Sequence, residues 1–86
     1  MKPRYQEPGN QNIIGIRIVE LRKEKGMKQK DLLAKLQLAN LDISATSLSR
    51  LEGQYRHAYD YEVMAVAEAL GVDELELLGK KKRENH

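Results

Sequence analysis

The fold is decided by residues 44–53, which read Ser-Ala-Thr-Ser-Leu-Ser-Arg-Leu-Glu-Gly. Ser44 is a good N-cap residue and Gly53 is a common residue at helix ends, so a short helix is predicted between them. At about 100° per residue, Leu48 and Leu51 fall on the same side of this helix. The pattern therefore predicts a helix that buries one side against the rest of the chain.

The opposite side of this helix carries Thr46, Ser49 and Arg50. Hydroxyl groups can reach phosphates or the edges of bases, and an arginine can donate two parallel hydrogen bonds to guanine. Short side chains would also let the helix backbone enter a groove. An ordinary surface helix would have the same pattern, so this helix alone leaves both interpretations open.

Glu52 lies beside the buried side of the same helix, where an unpaired carboxylate is costly. Arg22 flanks the apolar residues of the first predicted helix and is the best basic partner. We therefore predict an Arg22–Glu52 ion pair between the first and third helices. Desolvation offsets the Coulomb attraction of such a pair, so losing one partner should destabilise the fold more than replacing both.

The rest of the chain reads as further short helices, and no segment alternates like a strand. Asp60 and Asp73 are expected to cap the fourth and fifth helices. The residues expected to face inward are Ile14, Ile18, Leu21 and the stem of Lys25; Leu32, Leu33 and Leu36; Val63, Val66, Ala67 and Leu70; and, in the fifth helix that also carries Leu77, Leu75 and Leu78. Helices this short are stable in water only when their apolar sides pack together. The predicted fold class is all-α, with five helices.

The length of 86 residues fits one small domain. We expect a flexible N-terminal tail at 1–12, a folded domain at 13–79 and a basic C-terminal tail at 80–86. The chain has no Cys and only two His, so neither a disulfide framework nor a metal site is expected. Residues 1–11 lack the apolar core of a signal peptide, and no apolar run approaches the roughly 20 residues that cross a bilayer. A soluble, cytoplasmic protein without a membrane partner is expected.

The charge of the chain is unevenly distributed. Residues 13–57 contain nine Lys and Arg against five Asp and Glu, whereas residues 58–79 contain six acidic residues and no basic one. A basic end suits a polyanionic partner, although ordinary solvated surfaces are the commoner cause of such imbalance. The basic run at 80–83 either adds phosphate attraction or serves as a solubilising tail.

Three segments, in the same order, resemble the Cro/C1-type (XRE-like) family of helix-turn-helix domains. Residues 14–32, Ile-Gly-Ile-Arg-Ile-Val-Glu-Leu-Arg-Lys-Glu-Lys-Gly-Met-Lys-Gln-Lys-Asp-Leu, resemble the opening of the family's domain. Residues 47–53 resemble its recognition helix, and residues 68–73, Glu-Ala-Leu-Gly-Val-Asp, resemble the end of its fourth helix. The resemblance covers residues 13–79 and implies a five-helix lambda-repressor-like DNA-binding domain. Helix three would enter the major groove, and helix two would lie across the backbone.

The resemblance also implies roles for individual residues. Gln29 opens helix two and matches a position that often contacts phosphate, while Lys28 replaces the usual Thr or Ser cap and adds a cation. Arg56 lies in a loop near phosphate, and a solvated loop is an equally good interpretation of it. The implied DNA-contacting positions are Lys28, Gln29, Ser44, Ala45, Thr46, Ser49, Arg50 and Arg56. Arg22 and Glu52 match a buried salt bridge of the family, in agreement with the helical pattern.

The chain departs from the family between helices two and three, where the usual turn has about four residues. We interpret Gln-Leu-Ala-Asn-Leu-Asp, residues 37–42, as an insertion, with Ile43 packing under the motif. Three tyrosines follow the third helix, and Tyr61 is expected to pack at the edge of the core.

Together these features predict a sequence-specific duplex DNA-binding protein, a small bacterial or phage-type transcriptional regulator with repression as the expected direction. The alternative is a protein-interaction module, such as an antitoxin or a complex subunit, that keeps the fold. No nucleophile, phosphate loop or acid–base cluster indicates an enzyme, and no cofactor is expected. A homodimer through Leu75, Leu77 and Leu78 is conceivable because one domain reads only a half-site, but completion of the core is preferred for Leu75 and Leu78.

Overall fold

The computed structural model describes residues 9–79, which form five α-helices and no strand. The helices are α1 Gly15–Glu24, α2 Gln29–Leu38, α3 Ala45–Glu52, α4 Asp60–Leu70 and α5 Glu74–Leu77. The predicted all-α class and the number of helices are confirmed for this part of the chain. The predictions for residues 1–8 and for the basic tail at 80–86 concern residues outside the described ones.

The core is one cluster of aliphatic side chains drawn from all five helices and from the α2–α3 connection. Its buried members are Ile14, Ile18, Leu21, Leu32, Leu36, Ile43, Leu48, Leu51, Val66, Ala67, Leu70 and Leu77. Ten of these twelve were predicted as inward-facing from helical spacing, and Ile43 was predicted to pack under the motif. Lys25 is exposed, and Leu33 and Val63 are only half-buried at the edge of the cluster.

The prediction for α5 is wrong, because Leu77 completes the core in place of the expected Leu75 and Leu78. Leu77 is fully buried, Leu78 is half-buried, and Leu75 is 41% exposed. A helix of four residues has too few positions for a periodic apolar pattern, so its rotation is set by packing on α4.

The helix N-termini confirm two of the three predicted caps. Ser44 Oγ accepts a hydrogen bond from the Ser47 amide at 3.1 Å, and Asp73 Oδ1 accepts one from the Leu75 amide at 2.9 Å. The prediction for α4 is wrong, because Tyr59 occupies the N-cap position and Asp60 is the first helical residue. The carboxylate of Glu62 instead accepts a hydrogen bond from the Tyr59 amide at 3.0 Å.

The α2–α3 connection is shorter than predicted, because Gln37 and Leu38, the first two residues of the interpreted insertion, extend α2 and leave residues 39–44 between the two helices. Asn40 adopts a left-handed conformation with φ of 69°. The amide of Leu41 then donates to the Leu36 carbonyl at 3.0 Å, which satisfies a carbonyl at the helix end.

Residues 9–12 are hydrogen-bonded to the segment that follows α3. The interpretation of residues 1–12 as one flexible tail therefore does not fit residues 9–12. The amide of Gly9 donates to the Gly53 carbonyl, and that of Gln11 donates to the Gln54 carbonyl, both at 3.0 Å. Asn12 accepts hydrogen bonds from two amides at the start of α1 and donates to carbonyls 39 and 44 residues away. The hydrogen-bonded domain therefore includes at least four residues before the predicted boundary.

Helices α1 and α3 approach each other closely at Gly15. A β-carbon added there would lie 2.5 Å from the Leu51 carbonyl oxygen and 2.6 Å from that of Glu52. Both neighbours are backbone atoms, so relief would require α1 to move relative to α3. Glycine therefore sets the distance between the helix carrying Arg22 and the helix carrying Glu52.

Gly15→Ala should lower the free energy of unfolding by about 1–3 kcal/mol through overpacking. Helix propensity alone would give the opposite sign, since alanine is favoured over glycine in helices by roughly 1 kcal/mol. Urea unfolding followed by circular dichroism measures the difference. Lys23→Ala, at an exposed position of the same helix, is the matched control and should change stability little. A Gly15→Ala variant as stable as the parent would contradict the inferred close approach.

Candidate nucleic-acid interface

Helix α3 has one buried and one exposed side, as its sequence predicts. Leu48, Leu51 and Glu52 are buried. The exposed residues of α3 are Ala45, Thr46, Ser49 and Arg50. The first turn contains no acidic residue, so no carboxylate there would repel a polyanion. The exposed side thus presents short polar side chains and one cation.

An open groove of about 400 Å³ runs along this exposed side. Its lining residues are Gln29, Ala45, Thr46, Ser49, Arg50 and Tyr55. The structure thereby brings five of the eight predicted DNA-contacting residues to one concave surface. Ser44 caps the N-terminus of α3 beside this surface, and exposed Lys28 immediately precedes Gln29.

Tyr55 is a member of this groove that sequence reasoning missed. Its amide donates to the Arg50 carbonyl at 2.9 Å, and Gln54 takes the left-handed conformation with φ of 65°. A β-carbon at Gly53 would lie 2.6 Å from the Tyr55 ring, so glycine leaves room for the ring against the end of α3. The sequence feature that could have indicated this contact is Gly53, which stands two residues before Tyr55.

The predicted Arg22–Glu52 ion pair is confirmed. Two parallel hydrogen bonds of 2.9 Å join the guanidinium to the carboxylate, and Arg22 also donates to the Met27 carbonyl at 3.1 Å. Glu52 is only 8% exposed, so the pair is largely removed from water. Such charge-assisted, bidentate pairs fix geometry as well as energy.

Gln29 joins this buried pair to the groove. Its side-chain amide donates to Glu52 at 3.0 Å, and the same residue lines the groove. The start of α2 is therefore held in a fixed position relative to the exposed side of α3. Three helices therefore meet at the carboxylate of Glu52, which joins them through hydrogen bonds.

Arg56 lies elsewhere, in a second buried ion pair. Its guanidinium donates to Glu62 at 2.8 and 2.9 Å, to the Ser47 carbonyl at 3.1 Å and to the His57 carbonyl at 2.9 Å. These bonds use four of the five guanidinium donors. The structure thus gives Arg56 a role within the fold, and it does not line the α3 groove with the other predicted residues.

Glu62 was missed as a partner, although the sequence contained the signal. It precedes Val66 by four residues and therefore lies on the buried side of α4. The same reasoning that singled out Glu52 applies to it. From the sequence alone, Glu62 appears only as one of the six acidic residues of segment 58–79.

The exposed cations of the described chain lie mainly around the junction of α1 and α2. Lys23, Lys25, Lys28 and Lys30 are all exposed and form no ion pair with any residue of 9–79. Only two acidic residues, Glu24 and Asp31, accompany them between positions 23 and 31. This junction leads directly to Gln29, so one end of the groove is flanked by positive charge.

Other kinds of site receive no support from residues 9–79. They contain no cluster of three or more His, Cys, Asp or Glu side chains able to hold a metal ion. None of their helices combines the length and apolar character required to cross a membrane. Every buried side-chain nitrogen and oxygen of this region has a hydrogen-bond partner.

Comparison of the chain with protein-family models, curated proteins and solved structures gives no significant match.

Proposed function

We propose that this chain binds duplex DNA sequence-specifically as a small transcriptional regulator, with a lambda-repressor-like fold and α3 in the major groove. The proposal rests mainly on the groove that gathers Gln29, Thr46 and Arg50 beside the exposed side of α3. The resemblance of the sequence to Cro/C1-type domains supports the same interpretation.

The dimensions and chemistry of α3 fit this role. A helix of about 10–12 Å diameter matches a major groove about 12 Å wide, provided that its side chains are short. Ala45, Thr46 and Ser49 are short, whereas Arg50 is the one long side chain on the exposed side. We expect Arg50 to read a guanine, and the hydroxyl groups to bind phosphates or base edges.

The start of α2 would position the domain on the sugar–phosphate backbone. Gln29 is held by Glu52, and Lys28 precedes it on the surface. A lysine beside phosphates contributes attraction that does not depend on sequence. This attraction weakens as the salt concentration rises, because the release of counterions from the DNA is then less favourable. The two residues would thus supply register and affinity, while α3 supplies discrimination.

Arg50→Ala should reduce discrimination between the preferred site and a site with one changed base pair by about 1–3 kcal/mol, or roughly 5- to 150-fold. The preferred site is first obtained by selection from a random duplex library, and fluorescence anisotropy then gives affinities at several salt concentrations. Lys28→Ala is the matched control. It should weaken binding to both sites similarly and lower the salt slope by about one.

Two results would count against the proposal. They are a selection without any enriched motif, and undetectable binding to every duplex at low salt. Those results would favour the protein-interaction module, since the groove would then serve a polypeptide. Repression is tested separately, by placing the selected site across a promoter and measuring reporter output in bacterial cells.

A further inference from the structure

We infer that a second surface, between the C-terminal half of α2 and the outward side of α4, is a homodimer interface. A shallow groove of about 340 Å³ marks this surface. The lining residues, which define the α2–α4 face, are Lys35, Leu38, Ala39, Ala65, Glu68 and Ala69. The surface is separate from the α3 groove, and the two share no lining residue.

Leu38 is the feature of the α2–α4 face that requires an explanation. It is 84% exposed, more than any other large apolar side chain of the described residues. It belongs to the part of the interpreted insertion that extends α2 by a final half-turn. A single exposed leucine is ordinary, but here it stands beside a depression lined by three alanines.

The α2–α4 face has features that would pair with those of a second copy related by two-fold symmetry. It carries one projecting leucine and one hollow, together with Lys35 on α2 and Glu68 on α4. Neither charged side chain forms an ion pair with another described residue. In a two-fold arrangement, each contact made by one copy is repeated by the other. Leu38 would fill the hollow of the partner, and Lys35 would meet Glu68 of the partner subunit.

The fifth helix offers a weaker surface for the same purpose. Leu77 is fully buried, so only the partly exposed Leu75 could serve as a main contact there. Helix α5 contains two acidic residues and no basic one, whereas the α2–α4 face has one charge of each sign. The occupant best matched by the α2–α4 face is therefore a second copy of this chain.

Sedimentation equilibrium of the whole chain without DNA tests the inference directly. The parent should show a reversible monomer–dimer equilibrium, and Leu38→Asp should raise its dissociation constant about tenfold or more by placing a carboxylate in the apolar hollow. Thermal stability should barely change, because Leu38 contributes little to the core. Leu75→Asp is the control for α5 and should leave the dimer intact. A strictly monomeric parent, or dissociation by Leu75→Asp but not by Leu38→Asp, would overturn the inference.

A charge exchange tests the predicted pairing between copies. Lys35→Glu alone and Glu68→Lys alone should each weaken self-association roughly fivefold, since like charges would face each other. An equimolar mixture of the two variants should restore association, because both pairs between unlike chains then have opposite charges. A mixture as weakly associated as either variant would exclude this arrangement. Neither experiment uses DNA, so its failure is distinguishable from failure of the proposed function.

Discussion

Glu52→Ala should lower the free energy of unfolding by about 3–5 kcal/mol, because it leaves the guanidinium of Arg22 largely buried without its carboxylate. The side chain of Arg22 is 13% exposed and that of Glu52 is 6% exposed in the pair. The same substitution also removes the acceptor of Gln29. For a domain with a total stability of about 5–15 kcal/mol, this is a large fraction.

The double substitution Arg22→Met with Glu52→Leu is the matched control. It removes both charges, so it should cost clearly less than Glu52→Ala alone. Urea unfolding followed by circular dichroism gives both values, with the midpoint and slope reported separately. A double variant less stable than Glu52→Ala would show that the pair contributes net attraction beyond its desolvation, contrary to the expected balance.

The buried carboxylate also connects stability with the proposed DNA contact. Glu52 holds Gln29, and Gln29 lines the α3 groove. Substitution of Glu52 should therefore affect both unfolding and DNA binding, whereas substitution of exposed Arg50 should affect binding alone. This difference separates residues that build the interface from residues that contact the ligand.

The sequence predicted α1 to α4 well because each spans at least two turns and buries a periodic set of aliphatic side chains. It also predicted the Arg22–Glu52 pair, since an acidic residue beside a buried stripe requires a basic partner. Helical periodicity placed Thr46, Ser49 and Arg50 on one side of α3, whereas Gln29 and Ala45 were added by the family resemblance. Their roles come from the family resemblance and remain a prediction.

Three features could not be obtained in this way. Asn12 is defined by bonds to Leu51 and Arg56, which are far away in sequence and leave no local pattern. The rotation of α5 depends on packing, because one turn has no periodicity. Tyr61 was expected at the edge of the core, but it is 55% exposed and stacks on Tyr59 with ring centroids 5.3 Å apart. Two aromatic rings can stack on each other at the surface, so hydrophobicity alone gave the wrong position for Tyr61.

Arg56 offers the sharpest distinction between a structural role and a phosphate contact. Arg56→Ala should lower the free energy of unfolding by about 3 kcal/mol, because Glu62 would remain 5% exposed without its cation. The loss belongs at the lower end of the range for buried pairs, since the Arg56 side chain is 19% exposed. Glu62→Ala should have a similar effect, and the double variant should be less destabilised than the sum of the two.

DNA binding then separates the two roles of Arg56. At a temperature where Arg56→Ala is fully folded, its salt slope for the selected site should equal that of the parent, because the guanidinium is occupied by Glu62, Ser47 and His57. Lys28→Ala should lower that slope by about one in the same titration. Unchanged stability of Arg56→Ala together with a reduced slope would instead identify a phosphate contact. The combination of a large loss of stability and an unaltered slope is the expected result, because the same four donors cannot hold α4 against α3 and bind the DNA backbone.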